Sequence, residues 1–242
     1  MMLTYKRILY RLRYFWVNRS FGINVNNDWR DGFLFVGNHL ILDFINTRPI
    51  MDGEAVELLP DSGALARWLG AAGLVNKGES GRLMRRWSAP KFAAGVQVVR
   101  EFRERVRQAV LKIERGEHVW PGVLKHLNGL LVNYPDLGQV AQVEAGFERR
   151  RRFEPEIPEH AFAPLAVAFA DLLTAIPVAR VRKCNICVLH FYDTSKKGTR
   201  VWCSMNLCGN RAKVAAYADR QRAVDQSDAT LATPKIERSK GR

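Results

Sequence analysis

Four cysteines carry the clearest chemistry in the sequence. They read Cys184-x2-Cys187 and then, after fifteen residues, Cys203-x4-Cys208. Two close pairs at this separation are the pattern of a four-thiolate zinc site. A Cys-x2-Cys knuckle lets one tight turn present two sulfurs to one metal, and a second element completes the tetrahedron. Four thiolates close the shell and leave no position for water, so the expected cofactor is one structural Zn2+ with no catalytic role. The competing reading is two buried thiol pairs or disulfides. Disulfides require an oxidising compartment, and residues 1–20 are no secretory signal, because charges interrupt their apolar positions and no small-residue cleavage site follows. His190 is an alternative ligand that the fourth cysteine makes unnecessary, and it reads as a strand residue.

The charge of the chain concentrates around the same cysteines. Its 242 residues carry a net charge of +14, and residues 178–222 hold ten basic and two acidic side chains. Residues 31–160 are nearly neutral and residues 1–30 add five positive charges. Clustered positive charge points to nucleic acid first. The expected contacts are Arg182, Lys183, Lys196, Lys197, Arg200, Arg211, Lys213, Tyr217, Arg220 and Arg222. On a helix, Lys213, Tyr217 and Arg220 share one face, with Arg211 and Arg222 roughly opposite. Four further arginines at 149–152 follow Glu148 and point in several directions on any regular element, so they are not assigned a binding role.

The elements that must position these residues follow from periodicity. Within the cysteine segment, residues 188–192 and 199–202 read as two strands of a β-hairpin around a turn at 193–198. Residues 209–222 have strong helix propensity. Knuckle, hairpin and a helix whose first turn supplies the last ligand make a treble-clef finger. Upstream, helices are expected at 63–72, capped by Asp61 or Ser62, at 95–114, at 121–131 with Leu124, Leu127 and Leu131 inward, and at 162–176. In the helix at 95–114, Val99, Phe102, Val106 and Ile113 form the apolar stripe, while Arg100, Glu101, Arg103, Glu104, Arg105 and Arg107 form a solvated face. Residues 39–47 are apolar enough for a buried strand or a helix, and so short a run does not separate the two. The tail from 223 to 242 reads as disordered.

The segment Cys203-Ser204-Met205-x2-Cys208-Gly209-Asn210-Arg211-Ala212-Lys213 resembles the signature of the CGNR zinc-finger family, as do the flanks at 180–184 and 191–195. Gly37-Asn38-His39-Leu40-x-Leu42-Asp43-Phe44-x-Asn46-Thr47 is similar to the start of the ABATE domain that precedes such fingers, and Leu65-Ala66-x-Trp68-Leu69 also fits. The likeness spans about residues 33–222. It implies an α+β fold with a mostly helical ABATE-like domain at 31–177, a treble-clef finger at 178–222, and bacterial stress-induced transcription regulation. It also implies that Cys184, Cys187, Cys203 and Cys208 ligate the zinc. Relatives start near Phe33, so residues 1–30 are read as an atypical basic extension or a misassigned start, with Val25 as the true start if a non-ATG codon is used. The other reading of residues 1–20 is a basic amphipathic helix at a membrane surface.

These readings converge on a cytoplasmic DNA-binding regulator, with duplex DNA favoured over RNA. The alternative is an RNA-binding or protein-interaction zinc module. A small-molecule effector is expected in the N-terminal domain, with His39, Asp43, Asn46 and Arg48 as its candidate contacts. Asp43 and Asn46 equally suit local capping of backbone. A single finger reads few bases, which makes a homodimer useful, although no heptad marks one. No apolar run approaches the roughly 18–20 residues of a membrane span. No nucleophile–base set, phosphate-cradling glycine loop or second metal cluster suggests an enzyme.

Overall fold

The computed structural model describes residues 28–144 and 146–231. The readings of residues 1–20 and of a start at Val25 fall outside these residues, as does the tail from 232 onward.

Strands β1 (Trp29–Arg30) and β2 (Phe33–Leu34) pair across a turn in which Asp31 and Gly32 both take positive φ. Helix α1 (Leu40–Ile45) follows, and all six of its residues are buried. That burial explains why its sequence shows no period: a helix covered on every side is apolar all round. A short hairpin of β3 (Ile50–Met51) and β4 (Glu54–Ala55) leads to α2 (Ser62–Ala71). Asp61 caps α2 by accepting from the Ala64 N–H at 2.7 Å. Helix α3 (Lys77–Trp87) is capped by Asn76, which accepts from the Glu79 N–H at 2.9 Å. It packs against α2 closely because Gly70 has no side chain; a Cβ there would lie 2.6 Å from Ser80 Oγ.

The longest helix of this part is α4 (Ala93–Glu114), followed by α5 (Pro121–Asn133). Strands β5 (Leu137–Val143) and β6 (Gly146–Arg152) then form an antiparallel ribbon. Helix α6 (Phe162–Thr174) returns to the core. Strands β7 (Val181–Lys183) and β8 (His190–Tyr192) pair antiparallel, and α7 (Asn210–Leu231) ends the described chain. The core gathers α1, α2, α4 and α6 around aromatic rings: Phe44 lies 5.5 Å from Trp68, and Phe102 lies 5.4 Å from Phe162 in an edge-to-face contact. Among the described residues, no helix is long and apolar enough to cross a membrane.

The fold is helical with small hairpins, as expected, but several elements differ from the sequence reading. The partner of β8 is β7, not residues 199–202. The Cys184–Cys187 knuckle turns the chain straight back on itself, with the Cys184 N–H donating to the Leu189 carbonyl at 2.9 Å. Helix α7 runs past Arg222 to Leu231, since no glycine or proline interrupts it after Gly209 and before Pro234. Helix α3 escaped the sequence reading because only Ser80, Leu83 and Trp87 are buried among polar residues and two glycines. On α5 the buried leucines are Leu127 and Leu130, while Leu124 is exposed. Arg103, read as part of a solvated face, is 1% exposed. Glu57 makes that burial tolerable by taking both terminal guanidinium nitrogens, at 2.7 and 2.5 Å, and Thr47 Oγ1 accepts a further bond at 3.0 Å.

Candidate metal centre and its basic surround

The local fold brings the four sulfurs together. Cys184 and Cys187 flank the knuckle between β7 and β8, and the Ile186 N–H points at Cys184 Sγ at 3.5 Å. Cys203 ends the loop from β8. Cys208 sits in a tight turn at the start of α7, where Ser204 caps the backbone by accepting from the N–H groups of Asn206 and Leu207. Gly209 leaves little room for a side chain: a Cβ there would lie 2.6 Å from Met205 Sδ and 3.0 Å from Trp202 Nε1. Asp28, far upstream, holds Ser204 Oγ at 2.5 Å.

All four sulfurs lie within 4.8 Å of one another. Cys203 Sγ is 3.7 Å from both Cys187 Sγ and Cys208 Sγ. A disulfide would need about 2.05 Å. Four thiolates at about 2.3 Å from a tetrahedral zinc stand about 3.8 Å apart. The donor set therefore fits one zinc ion and not a pair of disulfides. Without a cation the cluster cannot ionise fully. Hydrogen bonds from Cys187 and Cys203 favour the Cys184 thiolate, while burial and the neighbouring sulfurs push Cys208 up to about 12. Cys203 is driven up as well, chiefly because its thiol donates to Cys184. A divalent cation removes that repulsion.

Around the sulfurs, Leu34, Val36, Leu189 and Phe191 form a small apolar cluster, so the segment before α1 threads into the finger. Asp193, wholly buried, organises the loop after β8. It accepts from the Ser195 and Arg200 N–H groups at 2.8 and 2.9 Å. Burial raises its pKa, but those bonds and the Arg182 charge outweigh it and hold the carboxyl below the ordinary range. Arg180 binds the carbonyls of Asp193 and Ser195 at 3.0 and 2.7 Å. In the sequence Asp193 and Arg180 both stand within the flanks that resemble the CGNR signature, with no role assigned to either. Asp193-Thr194-Ser195 is an Asx-turn pattern that could have revealed the first.

The basic residues divide into two sets. Arg182 donates to the Gly198 carbonyl at 2.7 Å, and Arg200 donates to the Trp202 carbonyl at 2.7 Å while covering the Phe191 ring. Arg222 pairs with Asp219. These three are engaged within the chain. Lys183, Lys196, Lys197, Arg211, Lys213 and Arg220 are exposed, and Tyr217 is 59% exposed beside them on α7. Three of the four arginines of β6 are paired: Arg150 with Glu148, Arg151 with Asp136 at 2.5 Å, and Arg152 with Glu154 at 3.1 Å.

The four residues expected at an effector are not gathered around a common opening. Asn46 is fully buried and spends its side chain on the main chain of β8, donating to the His190 carbonyl at 2.8 Å and accepting from its N–H at 3.0 Å. Asn38 donates to the Tyr192 carbonyl at 3.1 Å, and the Tyr192 N–H reaches the Gly37 carbonyl at 2.8 Å. The outer edge of β8 is thus satisfied by the helical part, not by another strand. Asp43 accepts from the Gly37 N–H at 2.7 Å, and burial raises its carboxyl to about 7. His39 is buried and held near 4 by desolvation, and Arg48 lies 3.7 Å from Glu104 on the surface.

The ABATE family, described as "Putative stress-induced transcription regulator", matches residues 38–176, more than half of the chain. The chain belongs to the ABATE family. A CGNR zinc finger matches residues 180–221, directly after it, so the Cys184, Cys187, Cys203 and Cys208 cluster falls inside the finger match. Neither is a family of enzymes; both describe regulatory or zinc-finger domains. No curated protein matches the chain. In ABATE terms, Gly37 to Thr47 is the stretch that grips the CGNR finger through β8, and the α4 end does the same, with Glu114 accepting from the Lys183 N–H at 3.2 Å.

Proposed function

We propose that this ABATE protein is a transcription regulator whose zinc-stabilised CGNR finger binds duplex DNA. The observation that carries this reading is α7. Its start is tied to the zinc cluster through the Met205–Gly209 turn, and it exposes Arg211, Lys213, Tyr217 and Arg220 to solvent. A helix anchored at its N-terminus, with its basic residues gathered between 211 and 222, suits a groove, with Lys183, Lys196 and Lys197 on phosphates. Arg182 and Arg200, spent on loop carbonyls, serve the finger's shape. Zinc then acts by folding the loop that presents α7. We assign residues 39–48 to the joint between domains, through which an effector state could reach the finger.

Titration of labelled duplex with zinc-loaded protein at several salt concentrations tests this. Affinity should fall steeply with salt, and K213E/R220E should weaken binding and flatten the slope by about two charges. Salt-independent or absent binding contradicts it. RNA is the second reading, favoured by the exposed Tyr217 ring. Trp202, by contrast, is partly buried against Gly209 and the cysteine cluster. Competition between duplex DNA and structured RNA separates the two.

The same reading favours a homodimer, which we assign to the outer edge of β5. Its residues Leu137–Val143 carry no charge, and among the described residues it pairs only with β6. Uncharged open edges invite pairing. Two copies meeting antiparallel about Val140 set Leu137 against Val143. Light scattering should give a dimer mass that Val140→Lys halves.

A further inference from the structure

A cavity of about 220 Å³ opens between α4, α5 and α6, away from the residues expected at an effector. Four rings line it: Phe102, Trp120, His126 and Phe169. Arg105 and Gln108, both exposed, line its solvent side. None of the lining residues is acidic, and among the described residues no carboxylate lies in ion-pair range of Arg105. The cavity is therefore an aromatic box with an uncommitted cation on its rim. A dry cavity of about 150 Å³ holds a benzene ring, so this one has room for a single substituted ring and little more. Arg105 is close enough to His126 to act on it: burial first, and then the Arg105 charge, lower the pKa of His126. Lys112 lies 4.0 Å from the Trp120 ring centroid but is paired with Glu117 at 3.2 Å, which leaves Arg105 as the cation for an anion here.

We propose that this cavity binds a small aromatic carboxylate, its ring among Phe102, Trp120, His126 and Phe169 and its anion on Arg105. The inference rests on the reading of the N-terminal domain as an effector sensor, and it locates the effector. Helix α4 supplies the link to the finger. Its middle forms one wall of the cavity through Phe102 and Arg105. Two residues on, Arg107 donates to the Ile45 carbonyl at the end of α1, and Glu114 in the last turn accepts from the Lys183 N–H and lies 3.5 Å from His190 Nε2. A ligand that shifts α4 against α5 and α6 therefore moves the helix that holds β7 and β8.

The test uses the full zinc-loaded chain and 4-(trifluoromethyl)benzoate, followed by its fluorine resonance, with 4-(trifluoromethyl)benzamide as the neutral control. The benzoate should bind saturably with a dissociation constant near or below about 1 mM, and about fivefold tighter than the amide. Arg105→Gln, on the surface, should erase that difference without affecting the fold seen by circular dichroism. Val123→Trp, which fills the cavity, should abolish binding of both. No saturable binding, equal affinity for acid and amide, or an unchanged preference in Arg105→Gln overturns the proposal. Duplex binding by the same protein is measured alongside. Loss of the ligand result with DNA binding intact refutes the site alone, whereas loss of DNA binding with ligand binding intact refutes the regulator reading alone.

Discussion

Asn46 is the residue whose removal tests the joint between the helical part and the finger most severely. Asn46→Ala deletes two buried hydrogen bonds, of 2.8 and 3.0 Å, to the main chain of His190. Both His190 groups then face a site that is fully buried in the native chain. Each unsatisfied group costs about 1–3 kcal/mol, so the variant should lose about 2–6 kcal/mol. That is a large share of a typical folding free energy of about 5–15 kcal/mol. Urea unfolding at saturating zinc measures the loss. Hydrogen exchange locates it, because the amides of His190 and Tyr192 should exchange far faster while those of α2 and α3 change little. A loss below about 1 kcal/mol, or β8 amides that keep their protection, would refute the view that the asparagine holds the finger.

Three further outcomes follow from individual contacts. Gly209→Ala drives a methyl into Met205 and Trp202, and should cost about 1–3 kcal/mol of stability in the zinc-loaded protein, seen as a lower melting temperature. Cys203→Ser removes the sulfur that stands 3.7 Å from two others; zinc per chain, by elemental analysis after dialysis, should drop well below one. Asp43, raised to about 7 from 3.8, keeps a proton in the folded chain that the unfolded chain releases, so its contribution to stability falls as pH rises through that window. His39, lowered to about 4, contributes the opposite slope between about 4 and 6.5. The difference between wild type and Asp43→Asn in unfolding free energy, measured across about pH 4–8, should therefore isolate the falling slope; parallel curves would contradict it.

The metal centre was legible because thiolate spacing is itself the chemistry: two pairs, fifteen residues apart, needed no further context. The helices with strong apolar stripes were legible for a similar reason, and α4 shows Val99, Phe102 and Val106 inward as read. What the sequence concealed depended on partners distant along the chain. Arg103 looks like its exposed neighbours until Glu57, 46 residues away, is placed beside it. The motif around Asp43 and Asn46 looks like a ligand site because buried polar residues suggest one, yet Asn46 is answered by a strand 144 residues later. The hairpin of the finger was misplaced because residues 188–192 could pair on either side, and only the knuckle's own geometry selects β7.

The most direct measurement of the central claim is zinc content coupled to duplex-DNA affinity before and after chelation of the full protein. One zinc per chain, with affinity lost on chelation and restored by added zinc, is the predicted result. DNA affinity that survives complete removal of the metal would contradict it.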